Sequence, residues 1–193
     1  MMFHRLGLIN KDQRGFTLIE VIVAVAITGL ITGGITMTIF QVFAGNARTS
    51  NHMTAVRQVQ NAGYWISHDA QMAQSVIPGD GGEAVLTLAW VGWEWKEGQG
   101  ANERQCINSY EVRYTYDGDS NKLWRHQKIV TNKYDGSELI ETTVDESSTF
   151  IADYITPTPS ITMNGNKLSV TIKAEVGEAE EERTYEITPR PST

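Results

Sequence analysis

From Val21 to Ala47 the chain carries no Asp, Glu, Lys or Arg. As a helix rising 1.5 Å per residue, those 27 positions extend about 40 Å, enough to cross a hydrocarbon core of about 30 Å. No soluble domain needs an uncharged run of this length near its N-terminus, so the run divides the chain into a membrane segment and whatever follows it. Arg5, Lys11 and Arg14 precede it, opposed only by Asp12. The positive-inside rule then keeps the N-terminus cytoplasmic and sends the remainder across. A cleaved secretory signal would have a shorter apolar core and a small-residue cleavage site. A plain single-pass anchor fits the length but leaves Glu20, a carboxylate at the edge of the apolar span, without a purpose.

Gly15-Phe16-Thr17-Leu18-Ile19-Glu20-Val21, preceded by basic residues and followed by the apolar run, resembles the type IV prepilin processing motif. The resemblance implies that a membrane prepilin peptidase cuts between Gly15 and Phe16 and that the new N-terminal Phe16 is methylated. The apolar helix is then kept, and Glu20 becomes an assembly residue that compensates the N-terminal amine of a neighbouring subunit. The physical reason is that an amine enclosed between packed helices is costly without an opposite charge nearby.

Small residues recur along the run at Ala24, Thr28, Thr32 and Thr36, and Gly29 and Gly33 form a Gly-x-x-x-Gly pair. Such residues let helix backbones approach closely in lipid, which makes Gly29 and Gly33 candidate packing positions. Many major pilins have a proline midway along this helix. Here the matching residue is Met37, so Gly33-Gly34 is the expected place for bending.

Beyond the run, Val56, Val59, Gly63, Ile66, Ala70, Ala73 and Ile77 alternate spacings of three and four, the apolar stripe of an amphipathic helix. Arg57, Gln58, Asn61, His68 and Gln71 fall largely off it. Pro78 and Gly79-Asp80-Gly81-Gly82 are expected to end the helix after Ile77. The period then changes to two. Strands are expected over 84–90, 110–116, 122–130, 138–144, 150–155, 160–163, 167–176 and 183–187. Asp117-Gly118-Asp119-Ser120-Asn121 and Asn164-Gly165-Asn166 are the turns, and Glu178–Glu182 a solvated loop. The expected class is α+β: a long transmembrane and stem helix packed on an antiparallel β head, the pilin-like lollipop. Its expected parts are a leader (1–15), a transmembrane and assembly helix (16–43), an amphipathic stem (44–77) and a β-rich head (78–193).

The head resembles the J-type minor pseudopilins of type II secretion and the related W-type minor pilins. Gln60-Asn61-Ala62-Gly63-Tyr64-Trp65-Ile66-Ser67-His68-Asp69, Leu123-Trp124-Arg125 and Thr188-Pro189-Arg190 carry the likeness. It implies a structural, non-enzymatic subunit of a pilus-like fibre near its tip, anchored once in the inner or cell membrane with the head periplasmic or extracytoplasmic. The implied partners are the prepilin peptidase, other major and minor pseudopilins or pilins, and the inner-membrane assembly platform. The alternative is a minor type IV pilin acting in adhesion, motility, or DNA or ligand binding.

The chain's net charge is −7, and residues 1–15 hold three basic side chains against one acidic, so the processed side chains sum to −9. An acidic exterior argues against binding nucleic acid through its phosphates. Cys106 is the single cysteine, which excludes an intrachain disulfide and reads as a buried small side chain.

Three groups have residue types that could carry chemistry. Ser67-His68-Asp69 has the residue types of a hydrolytic triad, but neighbouring helix positions diverge by about 100° and cannot converge, so His68 and Asp69 read as polar-face residues. Asp117, Asp119 and Asn121 begin like a calcium loop, yet Lys122 and Lys128 stand where glycine and the bidentate glutamate belong. Trp90, Trp93 and Trp95 cluster before a glycine-rich stretch. Trp93 and Trp95 are candidates for partner contact, set against core packing. No cofactor or metal motif is found.

Overall fold

The computed structural model describes residues 15–79, 84–92, 94–98 and 104–190. It has one helix, α1 (Leu18–Met72), and nine strands: β1 (Ser75–Pro78), β2 (Ala84–Val91), β3 (Trp95–Glu97), β4 (Arg104–Asp117), β5 (Lys122–Asp135), β6 (Glu138–Ala152), β7 (Ser160–Asn164), β8 (Lys167–Val176) and β9 (Ala179–Ile187). The expected α+β class is correct. The chain divides into two compact units, 1–46 and 47–193.

In the first unit, α1 continues through Gly33-Gly34 as helix, and its large apolar side chains are exposed. The second unit holds the core. All its strand pairs are antiparallel, in two sheets. The larger runs β1-β2-β4-β5-β6, with β3 also paired to β4, and the smaller runs β7-β8-β9. Ala55, Val59, Ala62, Ile66 and Ala70 of α1 are buried with Leu86, Leu88, Val112, Tyr114 and Leu123 of the larger sheet and with Leu168, Val170 and Ile172 of the smaller. The helical stripe therefore meets two sheets rather than one. Small side chains on the stripe allow this, because each sheet can approach the helix axis closely.

Gly63 marks the closest approach. A Cβ there would lie 2.1 Å from the Tyr185 ring of β9. The ring crosses the helix at this point and its hydroxyl donates to the Val59 carbonyl at 3.1 Å. Asn61 and Gln58, off the apolar stripe, tie the helix to the end of β6. The Asn61 amide donates to the Ile151 carbonyl, and Gln58 accepts from the Asp153 N–H at 2.9 Å.

Three expectations about local structure need correction. The helix stops at Met72, not Ile77, and Ser75–Pro78 pairs with Leu86–Ala89 as an edge strand. β-branched Val76 and Ile77 favour the extended form, and Pro78, opposite Leu86, is tolerated at the end of an edge strand. The two short strands expected over 138–144 and 150–155 are one strand, β6, because the Ser147-Ser148-Thr149 stretch between them stays in register with β5. Glu178–Glu182 is no loop. A turn at Gly177, with φ 62°, leads directly into β9, where Glu180 accepts from Lys173 at 3.0 Å and Glu181 from Arg183 at 2.8 Å. Cross-strand and same-face cations permit a strand where charge density suggested solvent.

Candidate functional site

The first turn of α1 is built by Thr17 and Glu20. The Glu20 carboxylate accepts from the Thr17 N–H at 3.2 Å and from its hydroxyl at 3.1 Å, while the Thr17 hydroxyl faces the Glu20 N–H at 3.4 Å. This is a capping box: a threonine at the cap and a glutamate three residues on satisfy helix N–H groups that have no carbonyl four residues earlier. Glu20 therefore has a local role that its reading as an assembly residue did not include. Thr17, not singled out from the sequence, is the other half of it. The Thr-x-x-Glu spacing was the signal that could have found it.

Phe16 lies beside this cap with 85% of its surface exposed. Gly15 has open space around its Cα, and so do Gly29 and Gly33 on the helix beyond. Gly29 and Gly33 lie in a shallow concave strip with Val25, Thr28, Thr32 and Thr36. The hydroxyls of Thr28, Thr36 and Thr38 donate to the carbonyls of Ala24, Thr32 and Gly34 at 2.8–2.9 Å, one turn back. A hydroxyl bonded this way presents its methyl group outward, so the strip is apolar despite its threonines. The helix is long and apolar enough to cross a membrane, with a mean hydropathy of 2.2 in its most apolar window.

A family model of the prokaryotic N-terminal methylation motif matches residues 10–36, spanning Gly15, Phe16, the Thr17–Glu20 cap and the Gly29–Gly33 pair. The match places a type IV pilin-like methylation motif in the N-terminal segment. No curated protein and no solved structure matches it. The motif implies processing by a prepilin peptidase and assembly with other pilins, and together with the apolar helix it points to single-pass membrane anchoring.

The second unit holds a polar cluster whose place differs from the sequence expectation. Asp69 is not on the solvent face. It is 1% exposed, and both carboxylate oxygens meet Arg125 of β5, Nε to Oδ2 at 2.7 Å and Nη2 to Oδ1 at 3.1 Å. The Tyr114 hydroxyl of β4 donates to Oδ2 at 2.5 Å. The Arg125 guanidinium also lies over the Trp65 ring, 5.2 Å from its centroid, and donates to Gln127 at 2.8 Å. A two-pronged guanidinium–carboxylate pair with its remaining sites bonded is the arrangement that makes a buried charge pair tolerable. Burial lowers the pKa of Arg125, but the hydrogen bonds and charge of Asp69 prevail and hold it above its ordinary value. Burial first, then the Asp69 charge, push Tyr114 far above the usual phenol range. The cluster is a structural tie, since Asp69 and Tyr114 are both buried. His68, its ring 3.5 Å from Asp69 and half exposed, stacks on Tyr64.

The remaining candidates are placed as follows. Trp90 is buried and stacks on Tyr110 at 5.3 Å, so it belongs to the core. Trp95 is 42% exposed on β3, paired across to buried Cys106. Trp93 lies outside the described residues. The Asp117 carboxylate turns inward on its own loop, accepting from the N–H groups of Asp119 and Ser120 and from the Ser120 hydroxyl. Those bonds hold its pKa below the ordinary carboxylate value. Asn121 closes the turn with φ 55°. Among the described residues, no group of His, Cys, Asp and Glu could hold a metal ion.

Proposed function

We propose that this chain is a minor pseudopilin, a structural subunit of the fibre of a type II secretion system. A prepilin peptidase cuts between Gly15 and Phe16, Phe16 is N-methylated, and the head lies beyond the cytoplasmic membrane. The helix assembles into the fibre core with other pseudopilins, delivered by the inner-membrane assembly platform, and the subunit sits near the fibre tip. The observation that carries this reading is the methylation motif over residues 10–36, with Glu20 retained at the fifth position after the cut.

The secretion assignment draws further support from two of the three segments that resemble J-type pseudopilins, Gln60–Asp69 and Leu123–Arg125. They are far apart in sequence, yet Asp69 from the first and Arg125 from the second form the buried ion pair. The resemblance thus falls on residues that tie the helix to the sheet. Glu20 favours a position behind the outermost subunit, because beyond its capping role its charge is available to another chain's amine.

The test is co-expression of the full chain with its prepilin peptidase and the pilin-like proteins encoded beside it. Mass spectrometry should find a mature N-terminal peptide beginning at methylated Phe16. Gly15→Leu should accumulate the longer precursor. The mature chain should co-purify with at least one other pilin-like protein. Normal maturation of Gly15→Leu would remove the processing assignment, and isolation of the mature chain alone would remove the tip-complex assignment.

A further inference from the structure

The larger sheet ends on two very different edges. On one side β1 is four residues long and closes on Pro78, a short edge that offers little to pair with. On the other side β6 runs from Glu138 to Ala152, and its first thirteen residues are all exposed. Its inner edge is bonded to β5 along nearly its whole length. Among the described residues, no strand lies beside its outer edge. At about 3.4 Å per residue, the exposed part offers roughly 44 Å of open backbone donors and acceptors.

The composition of β6 is unusual for such an edge. It has no proline, glycine or lysine to discourage pairing, and is rich in threonine and apolar residues, with Leu139, Ile140 and Val144 exposed. Its only charges are Glu138, Glu141, Asp145 and Glu146. Glu141 and Glu146 lean back across the ladder to Lys133 and Lys128 at 3.3 and 3.1 Å, and Glu138 and Asp145 make no ion pair among the described residues. The two carboxylates left over, Glu138 and Asp145, disfavour a second copy of this edge and favour a strand of opposite charge. One set of carboxylates thus both excludes and selects.

We propose that the free edge of β6, residues 138–150, accepts an extended, lysine- or arginine-bearing segment of a different protein as an added strand. Main-chain hydrogen bonds hold the segment and the β6 carboxylates choose it, the division of labour expected of strand addition. The site lies on β6 of the second unit. It serves a head in any pilus-like fibre, so it does not depend on the secretion assignment.

The full chain in a non-ionic detergent provides the test, with synthetic peptides of roughly ten residues as probes. One alternates lysine with valine and threonine. A second has the same charge but a central proline, and a third replaces lysine with glutamate. The first should bind, slow amide hydrogen exchange along 138–150, and bind at least about tenfold more tightly than either control. Equal binding of the proline control would reduce the effect to charge attraction and overturn the proposal. So would no binding, protection elsewhere only, or self-association of the chain through β6.

Two substitutions sharpen the result. Successive N–H groups on a strand point to opposite sides, so one of Thr143→Pro and Val144→Pro removes an outward donor and spares the β5 ladder. The variant that keeps the wild-type denaturation midpoint should lose peptide binding by about tenfold or more. Asp145→Lys should shift preference toward the glutamate peptide. Unchanged binding in both would overturn the proposal.

Discussion

Asp69 of α1 and Arg125 of β5 form a two-pronged ion pair enclosed by the core, with side chains 1% and 9% exposed. Fifty-six residues separate them in the chain. Removing one partner strands the other charge in a low-dielectric interior, whereas removing both with apolar replacements leaves only a packing change. Asp69→Leu or Arg125→Met alone should therefore destabilise the chain by about 3–5 kcal/mol, and the double variant by less than the sum. Denaturant titration of the four proteins in detergent closes the cycle. Additive losses would show that the two groups act independently.

Tyr114 extends this pair into an alkaline dependence. Its folded pKa is raised by burial and by Asp69, so the folded state holds the phenolic proton more tightly than the unfolded chain. The associated stability is complete below the unfolded value, near pH 10, and declines as pH rises above it. Tyr114→Phe should be less stable than wild type at pH 8, because Asp69 loses a donor at a cost of about 1–3 kcal/mol. Between pH 8 and 11 it should lose less stability than wild type does. Tyr116 and Tyr185, also raised by burial, keep a residual slope in both proteins. Parallel pH profiles of the denaturation midpoint would contradict this.

Gly63 admits the Tyr185 ring where any Cβ would overlap it. Gly63→Ala should cost about 1–3 kcal/mol through overpacking, despite alanine's better helix propensity. Combining it with Tyr185→Ala should recover part of that loss, because the truncated side chain vacates the contested space. A thermal melt in which Gly63→Ala is neutral would mean that the ring yields at little cost.

Glu20 has both a capping role in its own helix and an assembly role expected from the motif, and one substitution separates them. Glutamine at this position can still accept from Thr17 but carries no charge. If assembly depends on the charge, Glu20→Gln should be absent from purified fibres like Glu20→Ala. If it depends only on an ordered first turn, Glu20→Gln should incorporate as wild type does. Thr17→Val supplies the converse case, with the cap lost and the charge kept.

The Asp117–Asn121 turn is predicted to stay silent toward calcium. Asp117 already spends both oxygens on Ser120 and Asp119, so a cation would have to displace three local bonds. Calorimetry with millimolar calcium should show no binding heat. Asp117→Ala should lower the denaturation midpoint slightly, because the turn loses the three bonds that Asp117 accepts.

The sequence made the helix legible because its apolar stripe repeats at helical spacing from Val59 to Ala73, and the structure buries that stripe. Asp69 escapes a helical pattern built on apolar residues alone. It stands three positions after Ile66, on the buried side, and Arg125 alternates in phase with core residue Leu123. A charge in core phase on each of two elements was the visible sign of the pair. The extent of β6 and the division into two sheets were not legible, because both depend on which strands meet across long separations rather than on local period. Trp95 could not be assigned from spacing alone, since alternation places Trp90 and Trp95 on different strands of one sheet.

The threonines of the apolar helix have a consequence for how that helix can travel. Thr28, Thr36 and Thr38 close their hydroxyls onto the turn behind them. Nothing outside the helix is needed to satisfy these groups, and no neighbour is specified by them. The segment is portable: lipid tails, a detergent shell or the flank of another helix can surround it in turn while its internal bonding stays the same.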